Sequence, residues 1–566
     1  METRIKWVII FFIFSFLLVF LKLFYWQVLK RPALQSLAAN QYFSNVNLDA
    51  PRGKIYSSDG FPLVLNQKKF DLFLNLDNLK ITVDQLKEQL LPIIGEEEKE
   101  KFLQKIELLK KSKNIKWFSL MKNLDEETKT KIENLKINGL DFEEKERRFY
   151  PEGNLLSHVL GFVGESEKGT PQGYFGIEGY YDKEISGKLG MKIFEKDALG
   201  RPVFIGNEYF EKPIPGRNLV LNIDRPLQFL VEKRLADGVK HYQANSGLVA
   251  IINPQNGAVI AMAAYPEYDP STYYLSDQEL FRNPIISSSF EPGSIFKVIV
   301  MAAAIDSGLI SKDDICTECG GPKRIGEYSI KTWNEKYYPN STMTDILVHS
   351  DNVGMVWIAE KLGASKLYSY LKKFGIGEKT GIDLQGEISP YLRDPNNWTR
   401  IDLATISFGQ GIAVTPIQVL NAVSAIANGG KIYQPQVVRS ILSDDEELKI
   451  LPVEKSQPIS SQTARIVTEM MVEAVEKGEA KWAKPKNYLI AGKTGTAQIP
   501  ISGHYDSEKT IASFIGFAPI NKPRFVMLVS LQEPKTSTWG SETAAPLWFK
   551  IAEDIFQLWN IQPDKN

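Results

Sequence analysis

From Trp7 to Leu29 the chain reads WVIIFFIFSFLLVFLKLFYWQVL, apolar at nearly every position except Lys22. That length matches a helix crossing a bilayer. Arg4 and Lys6 precede it, so the positive-inside tendency predicts a cytoplasmic tail over 1–6, a span over 7–29 and an extracytoplasmic remainder, with Trp7, Tyr25 and Trp26 at the interfaces. Ser36-Leu37-Ala38 has the form of a signal-peptide cleavage site, but the apolar run exceeds a signal core, which favours a retained anchor. No second run of that length follows, so a single-pass protein is expected.

Beyond the span the period changes. Asn47–Asn66 alternates apolar and polar residues around Ser58-Asp59-Gly60, which predicts a β-hairpin. Ile81–Arg148 is rich in Lys and Glu with apolar residues at helical spacing, which predicts solvated amphipathic helices. Arg147–Gly190 is dense in glycine and aromatics, as in turns and short packed strands. A linker, PIPGRNLVLNID, then leads into RPLQFLVEKRLADGVK, a helix with Pro226 early and Gly238 late. Ser246–Tyr265 holds two apolar runs around Pro254-Gln255-Asn256-Gly257, a second hairpin, and ASFIGFAPINKPRFVMLVSLQEP supplies two more strands near the other end. Strands at both ends of a domain with helices between them predict an antiparallel sheet flanked by helices, an α+β fold. The expected division is a β-rich pedestal over 30–215 and a second domain over 216–560.

Composition removes alternatives. The chain has 566 residues, 43% hydrophobic and 24% charged, so neither a disordered nor a polytopic-membrane protein is expected. Lys plus Arg number 67 against 68 Asp plus Glu, a net charge of −1 that gives no reason to expect a nucleic-acid partner. The two cysteines build neither a disulfide framework nor a four-cysteine metal site.

The chemistry gathers at three places. In EPGSIFKVIVMAAAI, Pro292-Gly293 breaks the chain before a buried apolar helix, so Ser294 is expected at a helix N-terminus with Lys297 one turn on, on the same face. A serine hydroxyl needs a base, and a lysine desolvated in an apolar helix can serve as one. The helix N-terminus adds N–H groups for an oxyanion. Ser350-Asp351-Asn352 precedes a second apolar helix, offering a hydroxyl to relay a proton and a carboxamide to bind a substrate amide. Lys493-Thr494-Gly495-Thr496 reads as a strand, with Lys493 and Gly495 on one face, Thr494 and Thr496 on the other, and Gly495 leaving room for a substrate backbone. Single motifs recur by chance, in Ser119-x-x-Lys122, Ser369-x-x-Lys372 and Lys379-Thr380-Gly381, but none of these has the matching local context.

The ordered triplet S-x-x-K, S-x-N, K-T-G is the signature of class A β-lactamases and penicillin-binding proteins. Together with Pro51-Arg52-Gly53, the RRFYPEG…GIEGYYD block, LATISFGQGIAVTPIQ and KTGTAQ, it makes nearly the whole chain resemble the class B penicillin-binding proteins, most closely the septal, division-type members. The resemblance implies a peptidoglycan D,D-transpeptidase without a cofactor or metal, anchored in the bacterial cytoplasmic membrane. Its substrates would be stem peptides ending in D-Ala-D-Ala, its inhibitors β-lactams, and its partners a SEDS-family glycosyltransferase and divisome membrane proteins. Ser294 would be the nucleophile and Lys297 its base. Ser350 and Lys493 would return a proton to the leaving group, Asn352 would hold the donor peptide, and Thr494 and Thr496 with Lys493 would bind its terminal carboxylate. The backbone N–H groups of Ser294 and Thr496 would form the oxyanion hole. An elongation-type enzyme, a D,D-carboxypeptidase, a β-lactamase and a silent divisome scaffold are the competing readings.

Two features are set aside. His349 adjoins Ser350, but Lys297 already supplies a base. Cys316-x-x-Cys319 admits a local disulfide, free thiols or a metal site; the expected oxidising compartment favours the disulfide.

Overall fold

The structure, a computed structural model, describes residues 1–564 apart from 112–114, 168, 198–202, 204–207, 444–445 and 502–503. It divides into two compact units.

The first unit joins Met1–Arg52 to Ser186–Gly216. Its helix Glu2–Phe24 runs on through a π-turn at Tyr25–Leu29, and no side chain along it is buried. This is one helix long and apolar enough to cross a membrane. Strands Phe43–Leu48, Gly190–Glu195 and Glu208–Glu211 form a three-stranded antiparallel sheet. Asn47 and Leu48 pair with Met191 and Gly190, so they lie outside the hairpin predicted over 47–66.

The second unit joins Gly53–Ile185 to Arg217–Asn566. The predicted hairpin survives here in shorter form, as Ile55–Tyr56 against Pro62–Asn75 around Ser58-Asp59-Gly60. Those strands belong to a larger sheet in which Ile55–Tyr56 also pairs with Asn218–Leu221, which in turn pairs with Val438–Leu442.

The charged stretch 81–148 departs from expectation. Helices Val83–Leu90, Glu96–Lys111 and Glu126–Asn134 are present, but Trp117–Leu124 and Leu140–Phe149 are strands on either side of Pro62–Asn75. Leu140–Phe149 is strand because its partner supplies a ten-residue ladder, and this tertiary pairing overrides helical propensity. Arg147 Nη2 donates to the buried Asp71 at 3.1 Å. Arg148 donates to Glu178 Oε1 (2.8 Å), Asn66 Oδ1 (2.7 Å) and the Gly53 carbonyl (2.8 Å), tying four chain segments together.

The largest helix-flanked layer of this unit is a five-stranded antiparallel sheet of β1 (Ser246–Ile252), β2 (Val259–Tyr265), β3 (Ala491–Ile501), β4 (His504–Ala518) and β5 (Phe525–Gln532), in the order β2-β1-β5-β4-β3. The expected α+β architecture is thus observed. Around it lie α1 (Arg225–Tyr242), α2 (Lys297–Asp306), α3 (Met343–Val348), α4 (Asn352–Leu362), α5 (Pro416–Ala427), α6 (Ser461–Lys477) and α7 (Ala544–Leu558). Period-two alternation divides the sheet's side chains: Val249 and Ile251 join α1 and α7 in one core, whereas Ala250 and Ile252 join α2, α5 and α6 in the other. Gly238 does not end α1 as expected. A Cβ there would stand 2.6 Å from Leu547 Cδ2, so the glycine admits α7, and the helix ends at Gln243 in the left-handed region.

Glu178 is fully buried and Arg148 nearly so, at 0% and 5% side-chain exposure. Removing Arg148 leaves a buried carboxylate short of its main cation, which costs about 3–5 kcal/mol. Arg148→Met is therefore expected to lower the thermal melting midpoint markedly, and Arg148→Met with Glu178→Leu to recover part of the loss; an unchanged midpoint in the single variant would contradict this.

Candidate active site

The Ser294 turn is held from below by backbone. Phe290 exchanges hydrogen bonds with Val414 at 2.9 and 3.0 Å, and Gly293 N–H donates to the Gly409 carbonyl at 2.9 Å. Gly409 has φ +81°, and a Cβ on it would lie 2.2 Å from the Gly293 carbonyl oxygen. Only glycine meets both conditions. Ser294 lies in a 3-10 turn, Gly293–Phe296, rather than in the first turn of the α-helix, which begins at Lys297. The sharper turn leaves Ser294 on the cleft wall while Lys297 is wholly buried.

Lys297 Nζ donates to the Ser350 carbonyl (2.6 Å), Ser350 Oγ (3.2 Å) and Asn352 Oδ1 (2.7 Å). Among the described residues none hydrogen-bonds Ser294 Oγ. Ser350 itself has φ +52°, a left-handed conformation that a non-glycine residue adopts at a cost, set between α3 and the Asp351 cap of α4. Asp351 Oδ1 accepts from Val353 and Gly354 N–H at 2.7 and 3.2 Å, which locks the turn. Asn352 Nδ2 donates to the Lys331 carbonyl at 3.0 Å, so both ends of the carboxamide already have protein partners.

The third motif occupies β3, the edge strand of the sheet. Lys493 Nζ donates to Ser350 Oγ at 3.1 Å and to Thr494 O and Oγ1 at 3.1 and 3.2 Å. Thr494 and Thr496 line the cleft, and Thr496 Oγ1 accepts from Gly540 N–H at 3.0 Å. The space at Gly495 is taken by protein rather than left for substrate: a Cβ would lie 2.8 Å from Ile295 Cγ2, so this glycine seats the strand against the Ser294 turn. Gly540 repeats the device, with a Cβ 2.2 Å from the Gly495 carbonyl oxygen.

Ser350 Oγ therefore sits between two buried amines. Burial drives the Lys297 amine well below the ordinary lysine range, and the neighbouring Lys493 charge adds to this against Asp351 and Glu479. Burial pushes Lys493 down to about 8, opposed by Glu479. Burial also raises Asp351 and Glu479, while the lysine charges lower both.

The cleft is lined by Gly293, Ser294, Ser350, Asn352, Thr494 and Thr496, together with Trp333, Phe408, Gln410, Glu479 and Trp539. The last five carried no expectation from sequence. Phe408 and Gln410 belong to the SFGQG segment and Trp333 and Trp539 pack at 4.8 Å between ring centres, but nothing local in GEAKW marks Glu479. The chance motifs lie elsewhere. Ser119 is in a strand, Ser369 is on an exposed helix face, and Thr380 caps onto Glu387. His349 stacks flat on Tyr338 at 3.7 Å. Cys316 and Cys319 form a buried disulfide, which decides among the readings left open for them.

The penicillin-binding protein transpeptidase domain model matches residues 247–557, and the penicillin-binding protein dimerisation domain model matches residues 47–221. The chain is 31% identical over 572 residues to stage V sporulation protein D of Bacillus subtilis, covering 100% of this chain and 87% of that protein. The chain belongs to the class B penicillin-binding proteins. It is also 33% identical over 436 residues to the peptidoglycan D,D-transpeptidase FtsI of Escherichia coli, covering 76% of this chain and 71% of that protein. Among solved structures, penicillin-binding protein 2X of Streptococcus thermophilus shares the fold with a TM-score of 0.75 at 24% identity, over 91% of this chain and 80% of the other. A peptidoglycan synthetase of Bifidobacterium adolescentis superimposes with a TM-score of 0.73 at 26% identity, over 93% of this chain and 98% of the other. This class B protein is thus of the D,D-transpeptidase family.

Because Gly409 holds the Ser294 turn through backbone alone, Gly409→Ala is expected to slow β-lactam acylation more than tenfold, with strain on the order of 1–3 kcal/mol. Stopped-flow acylation with a fluorescent penicillin checks this, and a wild-type rate would show that the turn does not depend on the contact.

Proposed function

We propose that this class B penicillin-binding protein cross-links peptidoglycan through an acyl-enzyme on Ser294. The observation that carries the reading is Ser350 Oγ held 3.2 Å from the Lys297 amine and 3.1 Å from the Lys493 amine, in the cleft that Ser294 lines. Neutral Lys297 takes the proton from Ser294 as its Oγ bonds to the penultimate D-Ala carbonyl carbon. The backbone N–H groups of Ser294 and Thr496 hold the oxyanion. As the C–N bond breaks, Ser350 gives its proton to the departing D-Ala nitrogen and is reprotonated from Lys493. Thr494 and Thr496 with Lys493 bind the terminal carboxylate, and Asn352 holds the donor strand by exchanging its protein partners for the peptide. An amine of a second stem peptide then attacks the ester and releases Ser294. Water in place of that amine gives a carboxypeptidase side reaction.

Residues 1–6 lie in the cytoplasm, 7–29 span the bacterial cytoplasmic membrane, 30–215 form the pedestal and 216–560 the extracytoplasmic transpeptidase domain. Penicillin and other β-lactams acylate Ser294 as peptide mimics; mycobacterial PBP3 has been solved complexed with aztreonam. A SEDS-family glycosyltransferase supplies glycan strands, and divisome membrane proteins place the enzyme at the septum. The LATISFGQGIAVTPIQ segment and the FtsI relatives support the division role.

Intact-mass spectrometry after benzylpenicillin is expected to show one stable penicilloyl adduct in wild type and Ser369→Ala and none in Ser294→Ala. An adduct persisting in Ser294→Ala would overturn the assignment. In cells, depletion is expected to give filaments that fail to septate; rounded cells that still divide would move the protein to elongation.

A further inference from the structure

Among the residues lining the cleft, Glu479 is the carboxylate that the proposed chemistry does not use. Its position is built by packing. Helix α6 ends at Lys477, and the following Gly478 lies so close to α3 that a Cβ would stand 3.2 Å from the Val348 carbonyl oxygen and 2.2 Å from that of Ala474. Val348 is two residues before Ser350, so the chain leaving α6 delivers Glu479 to the same wall as the relay serine. Its Oε1 is sealed from solvent without a hydrogen-bond partner. Its one donor is the Trp333 side chain, so the charge left on the sealed oxygen is sustained by nearby cations. Those facing it are Lys493 from β3 and Lys297 from α2, with His349 contributing more weakly.

The need is mutual. Lys493 is buried, and its hydrogen bonds go to Ser350 Oγ, Thr494 O and Thr494 Oγ1, all neutral acceptors. The negative charge that sustains its ammonium is Glu479. Lys297 has Asp351 as well as Glu479 on its side and Lys493 against it.

We propose that Glu479 is a positioning residue that holds the Lys493 ammonium beside Ser350 and so keeps the relay loaded with the proton that the leaving nitrogen must receive. The inference rests on the Ser294 acyl-enzyme reading. In each turnover the N–H of Lys493 passes to Ser350 Oγ as the Ser350 proton passes to nitrogen; Glu479 touches no reacting atom and exchanges no proton.

The test is the pH dependence of acylation by a fluorescent penicillin, measured on the full chain in detergent micelles from about pH 5.5 to 10, with pre-acylation binding and the acylation step resolved separately. Wild type should give a bell, rising as Lys297 loses its proton and falling as Lys493 loses its own near pH 8. Removing the negative charge lowers the ammonium's pKa, so in Glu479→Gln the falling limb should move about one unit to acid and the acylation step at pH 8 should drop about fivefold. The rising limb should follow in the same direction, pre-acylation binding should stay within about twofold, and Glu479→Asp should restore the falling limb in part. A loss equal at every pH, or a profile superimposable on wild type, would overturn the proposal. If Glu479→Gln lacks a cooperative melt, Glu479→Ser is read by the same criteria. Absence of a Ser294 adduct in wild type would instead overturn the underlying reading, which the wild-type curve reports by itself.

Discussion

Two amines buried against one hydroxyl set the terms for the rest of this protein. Lys297 and Lys493 are both withdrawn from water and both within 3.2 Å of Ser350 Oγ, and the Lys493 charge makes that of Lys297 harder to keep. For Lys493 the fall from 10.5 to about 8 means that the unfolded chain binds the extra proton between those values. The fold therefore gains stability as pH rises through that window, and below it carries a cost of about 3 kcal/mol. The apolar body of α2, the ladder of β3 and the left-handed turn at Ser350 are what hold the arrangement against that cost. An amine kept poorly charged by its surroundings is a base in waiting, so the destabilising term and the chemistry are one property.

Such an arrangement tolerates little displacement, and backbone packing supplies the precision. Loop 408–414, the Ser294 turn, β3 and the loop at Gly540 lie one against the next, with Gly409 meeting the Gly293 carbonyl, Gly495 meeting Ile295, and Gly540 meeting the Gly495 carbonyl. On the glycine side of each contact, a side chain would introduce rotamers and slack. Their absence lets main-chain geometry fix where Ser294 stands relative to the threonines of β3.

What the sequence disclosed and what it withheld divide along range of interaction. Pro292-Gly293, the Asp351 cap and the alternation in β3 are local signals, and the segments they mark do converge on one cleft. The two cysteines, three residues apart, were likewise readable as a local pair. Strand Leu140–Phe149 was not, because its Lys and Glu content favours helix until Pro62–Asn75 is laid beside it. Gly495 and Gly238 each answer to a side chain far away in sequence, Ile295 and Leu547, so their purpose could be read only from packing. Glu479 is the extreme case: Lys297 and Ser350 lie more than 120 residues away, Lys493 comes only with the following strand, and nothing in the residues beside it marks it.

The strand order carries a consequence for how the molecule comes into being. The first strand of the core sheet, Ser246–Ile252, takes as its partner not only its hairpin mate but also the last, Phe525–Gln532. A chain emerging from the ribosome thus holds its first strand with one edge unsatisfied until nearly the whole sequence has been made. Non-local pairing of this kind makes folding slow and leaves an interval in which exposed edges can aggregate. It also means that Ser294 is made long before the cleft around it is complete, since Lys493 and the strand that bears it arrive late. The finished cleft is among the last features the chain acquires, and a truncated product lacking the final strands would never acquire it.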